Sequence, residues 1–215
     1  MSEHTRKYIP RPELKDRILS TAMEAFKRHG IKSITMDDIA LSLGISKRTL
    51  YEVFPDKETL LREGILRAKE ENEAYARQVL QQTDNVLEVI LKLFERSIEQ
   101  FHTTDKRFIE DLNKYPQVQQ LCRERLQRDS EEAIRFMQQG VEQGIFRSDI
   151  NFGIVDRLLR EQFNSLQSND LCRHYSLIEV YESIMFTYLR GISTPRGAEE
   201  LERFITQYRS GNASH

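Results

Sequence analysis

Cysteine is scarce: Cys122 and Cys172 are the two in a chain of 215 residues. Two thiols build no disulfide framework, and reduced thiols in a cytoplasmic protein are expected. No run of apolar residues is long enough to read as a transmembrane helix. The opening MSEHTRKYIP lacks the apolar stretch of a secretory signal. Proline and glycine are few, five and nine residues. Val, Ile and Thr nowhere alternate with polar residues over a useful length, so strands are not expected. His4, His29, His102, His174 and His215 share no metal-ligand spacing. Gly44, Gly140, Gly144 and Gly153 stand apart and form no phosphate-binding loop. No cofactor or metal is expected, and no enzyme is signalled.

What is present is charge laid over helical periodicity. Charged residues make up 31% and hydrophobic residues 39% of the chain, the profile of a helix-rich protein with a heavily charged surface. The net charge of −2 hides an asymmetry. Residues 1–32 hold eight Lys and Arg against four acids, a net +4, which leaves −6 for the remainder.

Leu14, Ile18, Ala22 and Phe26 fall four apart and predict a helix over 12–29, with Pro12 in its first turn and Gly30 as its left-handed cap. Thr35, with acids at Asp37 and Asp38, opens a second helix whose buried face is Ile39, Ala40 and Leu43 and which ends at Gly44. Ser46 opens a third, to about Phe54, with Leu50 and Phe54 inward and Pro55 stopping it. Asp56 caps a long fourth helix over 57–81. Its apolar residues thin out toward Glu70-Glu71-Asn72-Glu73, as expected of a connector between two cores. Six more helical segments follow: one opened by Asp84, then 105–114, 116–143, one opened by Asp149 or Asn151 and running to 166, 175–189, and one opened by Thr194-Pro195 and running to about 208. The fold class is all-α, with about ten helices.

The second and third helices are too short to be stable alone, since isolated helices need about 12–15 residues. They must pack on the first, and three helices with a short glycine turn make a helix-turn-helix unit. Such a unit carries the leading residues of its last helix to the major groove of DNA. In GISKRTLYEVFPDKETLL, Gly44 to Leu61, those residues are Lys47, Arg48 and Thr49. Arg and Lys reach guanine acceptors and Thr a thymine methyl. Ser46, Tyr51, Lys57 and Thr35 are placed to meet the sugar-phosphate rails. Taken singly, each has a plainer role: a Lys-Arg pair is usually a solvated face, a Ser or Thr at a helix start is usually a cap, and Tyr51 could be half-buried core. The combination at this spacing, beside a basic first helix, is what points to DNA.

Residues 14–61 resemble the DNA-binding domain of the tetracycline-repressor (TetR) family. The pattern RILSTAMEAFKRHGIKSITMDDIALSLGISKRTLYEVFPDKETLL carries an apolar first helix ending in Phe and Gly, then the Thr and Asp-Ile-Ala of the second, then Gly-Ile-Ser and Thr-Leu-Tyr of the third. The resemblance implies a homodimeric transcription repressor with double-stranded DNA and a small-molecule effector as partners. It places DNA contacts on Thr35, Ser46, Lys47, Arg48, Thr49, Tyr51 and Lys57. Glu52-Val53 departs from the family pattern, where a polar or aromatic residue is common, and leaves base preference open. The implied division is a helix-turn-helix DNA-binding domain over 1–56 and a ligand-binding and dimerisation domain over 57–215.

A dimer that spans successive major grooves sets its heads about 34–36 Å apart, so some surface must join two chains. The stripes Phe152, Val155, Leu159 with Phe163, and Ile178, Tyr181, Ile184, Met185 with Tyr188, are expected to form it as a four-helix interface. Phe94, Ile98, Phe101, His102, Leu112, Tyr115, Phe136, Met137 and Phe163 are expected around an effector cavity, with His102 or Tyr115 as polar anchors. Both sets are also compatible with ordinary core. Two other classes stay open: a regulator governed by a protein partner, which would have a dry, packed C-terminal core, and an all-helical enzyme, which would turn over substrate without binding an operator.

Overall fold

A computed structural model describes residues 11–112, 114–121, 130–166 and 174–212. Cys122, Cys172, the middle of the helix expected over 116–143, and Arg6 and Lys7 of the basic N-terminus lie outside the described residues. Among those described, ten helices follow one another: α1 Arg11–His29, α2 Met36–Leu43, α3 Lys47–Val53, α4 Lys57–Leu80, α5 Val86–His102, α6 Lys106–Leu112, α7 Ser130–Glu142, α8 Phe152–Leu166, α9 Leu177–Ile192 and α10 Pro195–Asn212. A further helical stretch covers 116–121.

Short-range chemistry sets the helix ends. Thr35 Oγ1 accepts the Asp38 N–H at 3.1 Å while the Asp38 carboxylate takes the Thr35 N–H at 2.8 Å, a reciprocal capping box. The Thr35 hydroxyl also donates to the Asp38 carboxylate at 2.6 Å, and this bond, with that from the Thr35 N–H, holds the Asp38 carboxyl below its ordinary pKa. Ser46 caps α3 by accepting the Thr49 N–H at 3.1 Å, and Asp56 caps α4 through the Thr59 N–H at 2.7 Å. Gly44, at φ 65°, closes α2 in the left-handed region that a side chain would strain. Three ends differ from expectation. The cap of α5 is Asn85, not Asp84: its side chain accepts the Glu88 N–H at 3.1 Å. A second capping box, Ser176 with Glu179, delays the start of α9, which then runs on to Ile192. Helix α10 continues past 208 to Asn212.

Two cores result. The first encloses Ile18, Phe26, Ile31, Ile39, Leu50, Phe54, Leu60 and Leu61 at 1% exposure or less. A β-carbon at Gly64 would lie 2.3 Å from Met23 Sδ, so the Met23 side chain of α1 packs directly on the bare backbone of α4 there. Helix α6 completes this core with Phe108 and Leu112, and Tyr115 packs against it. Leu112 and Tyr115 therefore belong to the first core, a correction to their expected place at the effector cavity. The reason is a clamp. The Asp105 N–H donates to the Lys27 carbonyl at 2.7 Å, and the buried Asp111 carboxylate accepts the Lys32 N–H and Lys114 Nζ, each at 2.7 Å. Burial alone would raise the Asp111 pKa, but the bonds from Lys114 and Lys32 outweigh it and lower it.

The second core joins Val86, Leu87, Leu91, Phe94 and Ile98 of α5 to Phe186, Leu189 and Ile192 of α9 and Leu201 and Ile205 of α10. Phe94 is its hub. It stacks on Tyr181 at 5.6 Å between ring centroids and meets Phe186 at 4.9 Å and Tyr208 at 5.3 Å. Helix α4 leaves the first core and packs against α5, with Val79 buried near its end.

Candidate functional site

Helix α3 is seven residues long and is held by one side only. Leu50 is fully enclosed and Phe54 closes the helix from below. The Arg11 guanidinium donates to the Glu52 carbonyl at 3.3 Å, tying the far end of α3 to the start of α1. The opposite side faces solvent. Lys47, Arg48 and Tyr51 are exposed there, Arg48 at 89% of its side chain. Thr49 Oγ1 and Ser46 Oγ lie 2.8 Å apart at the head of the helix. So Ser46, Lys47, Arg48, Thr49 and Tyr51 share one short element, and its outward residues stand on a closed core.

Both cations have an acidic neighbour. Lys47 Nζ is paired with Asp37 of α2, which raises the Lys47 pKa. Arg48 Nε donates to Glu52 Oε1 at 2.9 Å, one helical turn on. The two residues expected on flanking phosphates are placed differently. Thr35 is exposed, and its hydroxyl serves the capping box. Lys57 is half-buried, donates to the Ile34 carbonyl and stands 5.8 Å over the Phe26 ring. Burial lowers its pKa against the pull of Asp111 and Asp38. In this arrangement Lys57 pins the α1–α2 turn.

A cavity of about 210 Å³ opens beside the second core. Its walls are Ile90 of α5, Ile134, Phe136 and Met137 of α7, Phe152, Val155, Asp156 and Leu159 of α8, and Met185, Tyr188 and Leu189 of α9. Asp156, the one charged residue in this wall, is paired with Arg160 Nε at 2.7 Å. Of the residues expected around a cavity, Phe136 and Met137 are here. Phe94 and Ile98 are instead enclosed in the second core, and Phe101 and Phe163 lie against Tyr181 at 5.1 and 5.5 Å. His102 is exposed at the end of α5, away from the cavity lining.

The residues expected between chains divide as well. Phe152, Val155, Leu159, Met185 and Tyr188 line the cavity, while Ile178 and Tyr181 pack on the second core of their own chain. Ile184 and Tyr188 border an open groove with Tyr175, Glu179, Val180, Ser183 and Thr187. Tyr175 in this groove is exposed, and so are Ile154 and Leu158 on α8, at 57% and 46%, on the helix that also gives the groove Gln162. Sequence reasoning passed over Ile154 and Leu158. They repeat at four residues, offset from the Phe152–Val155–Leu159 stripe, so α8 is apolar on two faces. Among the described residues no cluster of metal-ligating side chains occurs and no helix is long and apolar enough to cross a membrane.

Comparisons with known proteins agree with this geometry. Residues 18–63, from α1 into α4, match the model of the bacterial regulatory proteins of the tetR family. The HTH-type transcriptional regulator UidR of Escherichia coli K12 is 28% identical over 170 residues, 76% of this chain and 86% of that protein. The HTH-type transcriptional repressor KstR2 of Mycolicibacterium smegmatis is 28% identical over 156 residues, 68% of this chain and 74% of that one. A transcriptional regulator from Saccharomonospora viridis, solved in complex with choline, superimposes with a TM-score of 0.67 at 19% identity, covering 85% of this chain and 99% of its own. An all-helical chain with an exposed, cationic helix-turn-helix edge thus carries, over residues 18–63, a segment that matches the tetR family of bacterial regulatory proteins, and over most of its length it is similar to DNA-binding transcriptional regulators.

Proposed function

We propose that the protein represses transcription as a homodimer, with α3 of each copy in the major groove of a palindromic operator, and that a small apolar effector in the cavity releases it. One observation carries the reading: α3 presents Lys47 and Arg48 outward from a core with no give in it. Residues 1–56 read the DNA in this account, with Ser46, Lys47, Arg48, Thr49 and Tyr51 as contacts. Residues 57–215 hold the effector and the second copy. Thr35 and Lys57 touch phosphate only if their present bonds are shared or exchanged. The outward residues Ile154 and Leu158 and the groove at Tyr175, Ile184 and Tyr188 are the face for the second copy, because one twofold axis must set both heads on one operator.

The cavity supports an effector with on the order of ten non-hydrogen atoms, since a cavity of about 150 Å³ admits benzene. A cavity of this kind also favours a small molecule over a protein as the controlling partner. The S. viridis neighbour of the same fold, solved with choline, is consistent with a bound small molecule. Coupling runs along two elements. Helix α5 borders the cavity at Ile90 and leads directly into α6, which is clamped on the α1–α2 turn. Helix α4 runs from the first core to its packing against α5. An effector acts only through its affinity difference between the two states, typically about 1–3 kcal/mol.

Selection of duplexes from a randomised pool, followed by measurement of affinity against salt, tests this. The expected result is a palindromic consensus whose half-sites are one helical turn apart, and affinity that falls steeply with salt. Arg48→Ala is expected to weaken binding to that consensus by about 1–3 kcal/mol and to relax one base position. Recovery of no consensus sinks the reading.

A further inference from the structure

The departure at Glu52 has a structural role in reach. We infer that Glu52 is a positioning and specificity-determining residue: it fixes the Arg48 guanidinium by one edge and opposes its capture by phosphate. This rests on the reading of α3 as the DNA-facing helix. The two side chains share the solvent side of α3, 89% and 57% exposed, with Arg48 Nε on Glu52 Oε1 at 2.9 Å. A guanidinium held at Nε keeps its two terminal nitrogens free as a fork, the geometry that meets guanine O6 and N7 together. The Glu52 backbone is in turn held, since its carbonyl accepts from Arg11 at 3.3 Å. The carboxylate thus comes from a fixed point and not from a wandering loop.

Charge decides the second half. Sequence-blind binding to a duplex comes from cations that neutralise phosphates. Here Lys47 is paired with Asp37 of α2 and Arg48 with Glu52 one turn on, so the two cations at the head of α3 each face a carboxylate. In free solution such exposed pairs contribute little. Against DNA the balance changes. A carboxylate one turn along α3 repels the phosphate rail whenever Arg48 meets no guanine. Inside the water-poor groove the Arg48–Glu52 bond strengthens when it does.

Three proteins test this: wild type, Glu52→Gln, which keeps an acceptor for Nε but removes the charge, and Glu52→Ala, which removes both. Each is titrated by fluorescence anisotropy against a consensus duplex recovered by the wild type and against a scrambled duplex, over a salt series. Thermal melts check that the exposed substitutions leave the fold intact. Both variants are expected to bind the scrambled duplex several-fold tighter, with the log–log salt dependence steeper by about one unit. The ratio of consensus to scrambled affinity is expected to fall about tenfold in Glu52→Ala and less in Glu52→Gln. A ratio in Glu52→Ala equal to wild type, an unchanged salt slope, or equal losses in the two variants overturns the inference. A wild type that prefers no duplex overturns the DNA reading beneath it, and that failure is visible before any variant is measured.

Discussion

The two cores of this chain solve opposite problems. The first is closed: Phe26, Ile31, Leu50, Phe54, Leu60 and Leu61 have no exposure at all, and five helices share them. The second is built on stacked and tilted rings around Phe94 and leaves a cavity of about 210 Å³ at its side. Close packing leaves a side chain one arrangement, whereas a cavity leaves several of similar energy. In the proposed function, a head that must fit a groove to within an ångström needs the former, and a body that must respond to a small molecule needs the latter.

That contrast is open to direct attack. The largest effect is expected from Phe54→Ala, which removes a fully enclosed ring beneath α3 and costs about 3–5 kcal/mol in chemical denaturation. Phe136→Ala, on the cavity wall, is expected to cost less than half as much, because its site already borders empty space. Equal losses would erase the distinction between the cores. Thr35→Ala removes the capping box and is expected to cost about 1 kcal/mol, read in the same way. Met137→Phe fills part of the cavity and is expected to change stability by less than about 1 kcal/mol. It should leave operator binding intact and abolish release by effector, measured by anisotropy with and without the ligand.

The smallest effect concerns the joint between the cores. Hydrogen bonds from Arg107 hold the Asp105 carboxyl down to a pKa of about 2. A depressed carboxylate stabilises the fold above its unfolded value of about 3.9 and loses that contribution as pH falls through its folded value. Asp105→Asn should therefore flatten the decline of Tm between about pH 4 and pH 2 while lowering Tm slightly at neutral pH.

Much of the head was legible because its signals are local. Thr35, Ser46 and Asp56 act on backbone within three residues, and Gly44 needs only its own φ. The cationic edge of α3 followed from the same short spacing. Less of the body could be read, because an apolar stripe says that a face is buried and not against what. Helix α8 carries two such faces, and only the packed structure assigns Phe152, Val155 and Leu159 to the cavity and Ile154 and Leu158 to solvent. Leu112 and Tyr115 were misplaced for a related reason: the clamp from Asp105 and Asp111 reaches back some eighty residues to Lys27 and Lys32, a distance no periodicity records.

The close approach at Gly64 limits what position 64 can hold. Met23 Sδ occupies the place where a β-carbon would be, so any larger residue there must push the Met23 side chain aside or part α1 from α4. Because α1 and α4 enclose the same core as α3, such a change would reach the cationic edge through packing beneath it and not through its surface.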